Sequence, residues 1–225
     1  MPMVLEGDGG RDRGESERET FIRGARRRQL VECAIEVIAE VGLARASTVR
    51  IARRAGVSRG VLTYHFRDRG ELIDQVIARV YELGAETLEP SLRVTTTPRE
   101  FLLAFIGSSV EFYAAYPRHV AALHAVFAGF EDDAPTRGGD RRHIRELDRL
   151  GELLFEGQTR GEFRDFNVDV MARTIRQALD GALAHVVAGR PAQPYAAELQ
   201  ALFDAATRSA APPSGEPHEA HDDPD

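Results

Sequence analysis

Helical spacing of apolar residues is the feature of this sequence that most restricts its fold. From about residue 26 to about residue 209, apolar side chains recur at intervals of three and four. No stretch shows a convincing alternation of apolar and polar residues, which is the pattern of a strand, and the β-branched run at 94–97 is stopped by Pro98. The sequence therefore predicts an all-α protein with about nine helices.

Capping and breaking residues divide this pattern into separate helices. Ser47, Ser58 and Asp68 are of the types that cap helix N-termini, while Gly42 and Gly56 suit helix ends. The predicted helices are 26–41, 48–54, 58–66, 68–83, 99–115, 118–129, 141–158, 167–188 and 195–209. Residues 1–20 and 210–225 lack periodicity and are predicted to be disordered, which leaves one domain at 21–83 and another at 84–209.

Positive charge is concentrated in one short part of the chain. The whole sequence has a formal net charge of −7 at pH 7. Residues 21–69 nevertheless contain 11 arginines against four acidic residues, which gives this segment a net charge of +7. A cationic segment in an otherwise anionic protein is typical of a surface that binds phosphate, so we expect nucleic acid to contact it. The alternative is an ordinary solvated helix face.

Several classes of protein are disfavoured by what the sequence lacks. Cys33 is the single cysteine, so neither an internal disulfide nor a cysteine zinc site is expected. His119 and His124 are five positions apart, about 140° around a helix, and do not form a chelating pair. We therefore expect no metal and no cofactor. No apolar run of about 18 residues and no signal-peptide pattern occurs, which predicts a cytoplasmic protein without a membrane span.

Residues 51–62 have the plan of a helix-turn-helix. Two helices cross closely only where the contact residues are small, as Ala52 and Ala55 are, and Gly56 supplies a turn residue that tolerates positive φ. The apolar contacts between the helices would come from Ile51, Val57 and Leu62. The outward face of the second helix would present Arg59, Gly60, Thr63 and Tyr64. Such a face suits the base edges and phosphates of DNA.

The residues that follow this turn complete a longer motif. It consists of Ala-Gly-Val-Ser-Arg-Gly at 55–60, then Tyr64-His65-Phe66, and then Arg69 with Glu71-Leu72. In this order the motif resembles the TetR family of repressors. The resemblance implies an N-terminal three-helix helix-turn-helix domain, followed by an α-helical domain for effector binding and dimerisation.

The resemblance also implies which residues bind double-stranded operator DNA. Base edges would be approached by Arg59, Gly60 and Val61. Backbone phosphates would be contacted by Thr48, Thr63, Tyr64, His65 and Arg69, with Ser47 next to them in the site. The family often has Tyr where this chain has Thr63 and Lys where it has Arg69. Thr63 is expected to reach less far, whereas Arg69 keeps the charge.

Aromatic residues are concentrated in the part of the chain where the resemblance implies an effector pocket. Ten of the 16 aromatic residues lie between positions 101 and 166. A mostly apolar lining with a few polar groups suits a small organic effector. The candidate ligand-binding residues are Phe101, Phe105, Phe112, Tyr113, His119, His124, Phe127 and Phe163. The alternative is that these aromatic side chains fill an ordinary core.

Two apolar stripes near the C-terminus, at 167–188 and 195–209, predict a homodimer. Ala178 and Ala182 lie on the first stripe and allow close approach of helices, which suits a four-helix interface between two chains. The alternative is packing within one chain. The dimer is favoured because the resemblance implies a palindromic operator, which needs two recognition helices.

Together these features predict a repressor that binds a palindromic operator as a dimer and is released by a ligand. One alternative is an enzyme with an appended helix-turn-helix, although the sequence has no nucleophile elbow, phosphate loop or metal-ligand spacing. Another is a constitutive DNA-binding protein whose C-terminal half only dimerises. Activation in place of repression also stays open.

Overall fold

Nine helices make up the part of the chain that the computed structural model describes, residues 9–129 and 139–209, with side chains at 20–129 and 146–209. They are α1 (Gly9–Val41), α2 (Thr48–Arg54), α3 (Arg59–His65), α4 (Arg69–Arg93), α5 (Pro98–Ala115), α6 (Pro117–Ala128), α7 (Gly139–Thr159), α8 (Val168–Val187) and α9 (Ala192–Thr207). An isolated β-bridge joins Phe163 to Arg208. The prediction of an all-α fold is confirmed.

Helix boundaries in the N-terminal part follow the predicted capping residues. Ser47 Oγ accepts a hydrogen bond from Arg50 N at 3.2 Å and starts α2. Asp68 Oδ1 accepts one at 2.8 Å from the backbone N–H three residues later and starts α4. Ser58 stands at the N-cap position of α3 without a side-chain capping bond. Gly56 has φ of +67° between α2 and α3, a conformation that glycine adopts without a steric penalty.

The first helix is longer than predicted. α1 begins at Gly9, so the predicted start at residue 26 is wrong. No proline interrupts the sequence from 9 to 41, and its many arginines and glutamates favour a helix. Residues 9–20 of the segment predicted to be disordered therefore belong to α1. Residues 1–8 and the predicted disordered tail at 210–225 lie outside the described residues.

The fourth helix is also longer than predicted. α4 continues to Arg93, so its predicted end at 83 is wrong, and only residues 94–97 separate it from α5. Pro90 lies inside this helix and removes one backbone hydrogen bond. Leu88 packs against the core and Leu92 is half-buried, and this packing holds the last turns in helical form despite the proline. The predicted domain boundary at 83/84 thus falls within α4.

One continuous apolar core joins the two parts of the chain. In the N-terminal part α1 packs against α2, α4 and α6, and Ile51, Leu62 and Phe66 are almost completely buried, as expected for helices too short to be stable alone. In the C-terminal part α5 is central and packs against α4, α7, α8 and α9. Since α4 has 25 residues, it is about 37 Å long and reaches from the helix-turn-helix into the second part.

Candidate DNA-binding surface and effector cavity

The helix-turn-helix has the geometry that the sequence predicts. Ala52 is 3% exposed and Ile51 and Leu62 are buried, so small and apolar side chains form the contact between the short helices. A β-carbon at Gly56 would meet no atom within 4 Å. The positive φ, and not crowding, is therefore what the turn requires of this position.

The predicted reading face of α3 is exposed. Arg59, Gly60, Thr63 and Tyr64 all face solvent, and Tyr64 is 67% exposed. The Thr63 hydroxyl donates to backbone carbonyls of its own helix, those of Arg59 at 3.3 Å and Gly60 at 3.0 Å. Its short reach fits the expectation for a threonine at this position. Val61 is half-buried on the same helix.

The other predicted DNA contacts come from the ends of neighbouring helices. Ser47 is exposed and uses its hydroxyl to cap α2, and Thr48 beside it is half-buried. His65 is half-buried at the end of α3. Arg69 is exposed at the start of α4, and its Nη2 donates to the Leu43 carbonyl, which ties α4 to the turn after α1. Its other guanidinium N–H groups point to no acceptor that the structure describes.

Sequence reasoning missed a contribution from α1 to this surface. Arg23 Nη2 donates to the Tyr64 hydroxyl at 2.9 Å, and the Arg23 guanidinium lies 5.0 Å from the centre of the Tyr64 ring. α1 therefore runs beside the reading face and adds a cation to it. The helical extension of α1 upstream of residue 26 is the signal that would have indicated this neighbour.

A second arginine of α1 holds the end of α3 in place. Arg27 pairs with Glu71 at 2.6 Å, donates to the His65 carbonyl and lies 4.5 Å from the centre of the Phe66 ring. The hydrogen bond from Arg27 lowers the pKa of Glu71, so this carboxylate stays ionised. Partial burial, followed by the charges of Arg23, Arg27 and Arg26, lowers the pKa of His65. His65 is therefore neutral at pH 7.

The arginines of the N-terminal part differ in whether a carboxylate of the chain neutralises their charge. Arg27, Arg54 and Arg67 form ion pairs with carboxylates of the same domain. Arg50 and Arg59 are exposed and take part in none of the ion pairs found among the described side chains. Charges of the second group are available to an external anion, and DNA phosphates are the partner that a positively charged helix-turn-helix most readily binds.

A cavity of about 1080 Å³ lies between α4, α5, α6, α7 and α8. Its apolar wall includes Phe101, Phe105, Phe112 and Tyr113, all from α5, and leucines of α4 and α7. This volume is at the upper end of the range for sites that hold organic ligands. Part of the region between the helices is thus open space, although Phe112 and Tyr113 are also almost completely buried, as the alternative of an ordinary core predicts.

The cavity wall includes a cluster of polar groups that we call the Arg176 cluster. Its members Arg176, Glu146, Tyr81 and Tyr113 line the cavity, and Asp180 pairs with Arg176. The Arg176 side chain is 11% exposed and lies 3.3 Å from Glu146 and 3.1 Å from Asp180. Burial raises the pKa of Tyr113 to about 12, and burial together with the charge of Glu146 raises the pKa of Tyr81. Both phenols are neutral and can donate hydrogen bonds.

Half of the predicted ligand-binding residues lie elsewhere. Phe101, Phe105, Phe112 and Tyr113 line the cavity. His119, His124, Phe127 and Phe163 are not among its lining residues, so the cavity gives no support to their predicted ligand-binding role. Whether the first four bind a ligand stays a prediction.

Each of these four side chains contacts other residues of the chain. His119 Nε2 lies 3.0 Å from Glu32 Oε2 on α1, and His124 Nε2 lies 3.2 Å from Asp180 Oδ1 on α8. Phe163 is 3% exposed and stacks at an angle on Phe166, while Phe127 packs against the core. The sequence shows that these residues lie on helices but not which neighbouring helix each of them meets.

Glu32 joins three helices that belong to different parts of the molecule. Its carboxylate lies 3.1 Å from Arg79 Nε on α4 and 3.0 Å from His119 Nε2 on α6. α1 packs directly on the helix-turn-helix, while α4 and α6 both line the cavity. This set, which we call the Glu32 bridge, is a polar contact between the helix that packs on the helix-turn-helix and two helices that line the cavity.

The two apolar stripes that predict a dimer, at 167–188 and 195–209, are only partly exposed. Ile175, Leu179 and Leu183 of α8 and Phe203 of α9 are buried within the chain, so the alternative of intrachain packing is correct for these residues. Large apolar side chains that stay exposed on the two helices are Val170 (59%), Val187 (61%) and Leu202 (56%). The homodimer itself stays a prediction.

Two further properties concern metals and membranes. Within the described ranges, no group of three His, Cys, Asp or Glu side chains is placed to hold a metal ion, and no helix is long and apolar enough to cross a membrane. Cys33 packs against the core, and burial raises the pKa of its thiol. A half-buried thiol with a raised pKa has little thiolate at neutral pH and therefore low reactivity.

The amino-acid sequence of the N-terminal part is similar to that of known regulators. Residues 30–76 match the sequence model of the family described as "Bacterial regulatory proteins, tetR family". The HTH-type transcriptional regulator BetI of Pectobacterium atrosepticum is 40% identical over 88 residues, which are 38% of this chain and 45% of that protein. BetI 1 of Chromohalobacter salexigens is 34% identical over 87 residues, 38% of this chain and 43% of that protein. Each match spans less than half of the curated relative.

Solved structures with a similar fold cover more of the chain. The ketosteroid transcriptional regulator KstR2 of Mycobacterium tuberculosis has a TM-score of 0.66 at 24% identity, over 82% of this chain and 96% of that chain. A putative transcriptional regulator from Saccharomonospora viridis, solved in complex with choline, has a TM-score of 0.66 at 20% identity, over 82% of this chain and 98% of that chain. At these identities the similarity establishes the fold.

Proposed function

Because the chain belongs to the tetR family of bacterial regulatory proteins through its residues 30–76, we propose that it is a sequence-specific, DNA-binding regulator of transcription. The observation that carries the proposal is the exposed face of α3, where Arg59 is free of ion pairs with the described carboxylates. The relatives are transcriptional regulators, which argues against an enzyme with an appended helix-turn-helix. Such a protein acts in the cytoplasm, where its operator DNA lies.

On this proposal α3 enters the major groove. Arg59 reads a guanine by two hydrogen bonds, while Gly60 and Val61 let the helix approach closely. Phosphates are held by Ser47, Thr48, Thr63, Tyr64, His65 and Arg69. Arg23 adds a cation next to Tyr64, because the two side chains are hydrogen-bonded.

Operator binding on this proposal requires two copies of the chain. A dimer formed through 167–188 and 195–209 would bury Val170, Val187 and Leu202, which are exposed in one chain. Gly181 and Ala184 are also exposed on α8 and allow helices to approach closely. The dimer would set the two α3 helices about 34–36 Å apart, so that they enter successive major grooves of a palindrome.

A small organic effector would release the DNA by binding in the cavity. An effector shifts the protein to the released state only if it binds that state more tightly. α4 starts beside α3 and lines the cavity with its second half, and the Glu32 bridge links it to α1 and α6. One protein of this fold was solved in complex with choline, which supports a ligand-responsive role for this chain.

Selection of bound DNA from a random pool by the purified full chain tests this function. The expected result is an enriched palindrome whose half-sites are about one helical turn apart, or a multiple of it. A pool without enrichment would overturn the proposal. Titration of candidate effectors against the selected operator then separates a ligand-released repressor from a constitutive DNA-binding protein, because only the first loses the operator.

A further inference from the structure

An exposed tyrosine on α3 is held in place by an arginine of α1. Tyr64 is 67% exposed, and Arg23 donates a hydrogen bond to its hydroxyl at 2.9 Å. We propose that Arg23 and Tyr64 together bind one backbone phosphate of the operator, as a clamp formed by α1 and α3. This inference rests on the proposed function, since it concerns how operator DNA would be held. It adds a joint phosphate site whose two donors come from different helices.

Two neighbours restrict the Tyr64 ring. The Arg23 guanidinium lies 5.0 Å from the centre of the ring, and the His65 ring packs edge-on against it, with 5.2 Å between the ring centres. Cation–π and edge-to-face contacts both favour one orientation of the tyrosine. An exposed side chain normally samples several rotamers and loses this freedom when it binds a partner. Because Tyr64 is already held, less of that entropic cost remains when DNA binds.

The hydrogen bond between the two side chains leaves each of them with a free donor. A guanidinium group cannot accept a hydrogen bond, so the Tyr64 oxygen is the acceptor and the phenolic hydrogen is left over. The bond to Tyr64 is the one hydrogen bond found for Arg23 among the described residues, and its remaining N–H groups are available. The pair thus presents an O–H and several N–H groups side by side. The charged oxygens of a phosphate diester accept such bonds.

The charge of Arg23 is available to an external anion. Arg23 is exposed and forms no ion pair with any carboxylate whose side chain the structure describes. Arg27, one turn further along α1, differs because Glu71 pairs with it at 2.6 Å. Burial lowers the pKa of His65, and the charges of Arg23, Arg27 and Arg26 lower it further. The end of α3 therefore lies in a positive potential, which attracts phosphate.

The alternative is that Arg23 only joins α1 to α3. Arg27 already joins these helices, because it donates to the His65 carbonyl and lies 4.5 Å from the centre of the Phe66 ring. Arg27 is half-buried, whereas Arg23 and Tyr64 are both exposed. An exposed polar pair adds little to stability, so the fold does not require this contact. Its place on the surface suits a ligand that arrives from solvent.

A double-mutant cycle on the selected operator tests the clamp. Fluorescence anisotropy gives the operator affinity of the wild type, Arg23→Met, Tyr64→Phe and the double variant. Each single variant is expected to bind about tenfold more weakly. The double variant should lose about tenfold to twentyfold, and not about a hundredfold, because each side chain needs the other to hold the phosphate. A loss of about a hundredfold, or an Arg23→Met variant that binds within about twofold of the wild type, would overturn the inference.

The salt dependence of binding separates a phosphate contact from a general effect of charge. Arg23→Met should reduce the slope of log affinity against log salt concentration by about 0.9 for each clamp, and so by about 2 in a dimer. Arg28→Met is the control, because Arg28 is an exposed arginine of α1 about 140° around the helix from Arg23. It should leave both the affinity and the slope nearly unchanged. Equal effects of the two substitutions would contradict the clamp.

Operators with one uncharged backbone position locate the phosphate. A methylphosphonate is placed at each position of the half-site in turn, where it replaces a charged oxygen by a methyl group. At one position the wild type should lose about tenfold in affinity, while the double variant loses less than about twofold. If Arg23→Met and Tyr64→Phe become insensitive at different positions, the two side chains bind different phosphates and the inference is wrong.

Failure of this inference is distinguishable from failure of the proposed function. If an operator is selected and Arg23→Met binds it as the wild type does, the regulator stands and the clamp does not. If no operator is selected from the random pool, the proposed function fails and the clamp fails with it.

Discussion

Arginine has opposite roles in the two functional regions of this molecule. On α3 Arg59 is exposed and no described carboxylate pairs with it, whereas Arg176 on the cavity wall is buried between Glu146 and Asp180. The same side chain is therefore available to phosphate in one region and already neutralised in the other. Which carboxylates the fold brings near an arginine decides whether it can bind an anion.

The largest effect is expected from removing the neutralised arginine. Arg176→Met removes the guanidinium from between the half-buried carboxylates of Glu146 and Asp180 and should lower the free energy of unfolding by about 3 kcal/mol, the lower end of the range for breaking a buried ion pair. Arg173→Met is the control, because Arg173 pairs with Asp169 at the surface and should contribute less than about 0.5 kcal/mol. Urea unfolding measures both. Similar losses for the two variants would show that the buried pairing has no special importance.

The exposed arginine should matter for DNA and not for folding. Arg59→Ala should reduce operator affinity by about 1–3 kcal/mol and relax base preference at one position in each half-site. Thr48→Ala, at a predicted phosphate contact, should weaken binding to all sequences to a similar degree. Selection of bound DNA with each variant measures the difference. An unchanged sequence profile for Arg59→Ala would exclude Arg59 as a base-reading residue.

The Glu32 bridge joins α1, which packs on the helix-turn-helix, to α4 and α6, which line the cavity. It can therefore couple effector binding to operator binding. Glu32→Gln removes the charge that attracts Arg79 and His119, and we expect it to reduce the coupling between effector and operator by about 0.5–2 kcal/mol. Glu36→Gln is the control, since Glu36 pairs with Arg54 inside the N-terminal part. Coupling is measured as the ratio of operator affinities with and without an effector found by titration against the selected operator. Equal coupling in both variants would show that the Glu32 bridge does not connect effector binding to operator binding.

The smallest expected effect is on the pH dependence of stability. It comes from the ion pair between Arg27 and Glu71, which fixes the end of α3. The pKa of Glu71 lies below its ordinary value of 4.5 in the folded chain, so its stabilising contribution is complete above that pH and is lost as the pH falls through the lowered value. Glu71→Gln and Arg27→Met should each remove this part of the acid dependence of unfolding. If the free energy of unfolding of Glu71→Gln changes with pH as that of the wild type does, the ionised Glu71 carboxylate does not stabilise the fold.

The helix-turn-helix was predictable because its signals are local. Ser47, Gly56 and Asp68 each set a boundary through bonds or backbone angles within three residues, and the outward face of α3 followed from helical spacing. The positions at which the longer helices begin and end were less predictable from the sequence. Pro90 indicated a break, but packing of neighbouring leucines keeps α4 helical beyond it.

The cavity was only half predictable because its lining depends on contacts between distant parts of the sequence. Spacing placed four aromatic residues of α5 correctly in the lining. It could not show that His119 faces Glu32, which is 87 residues away. Nor did the sequence indicate that Arg176, Glu146 and Tyr81 converge from three helices, since each reads alone as an ordinary amphipathic position.

Chemical modification of arginine, read by mass spectrometry, tests the contrast between the two regions most directly. The full chain is treated with an arginine-specific dicarbonyl, free and in complex with its selected operator. Arg59 should react rapidly in the free protein and be protected by the operator, while Arg176 should react slowly in both states because it is buried and paired. Equal reactivity of Arg59 with and without operator would contradict the proposal that Arg59 contacts DNA.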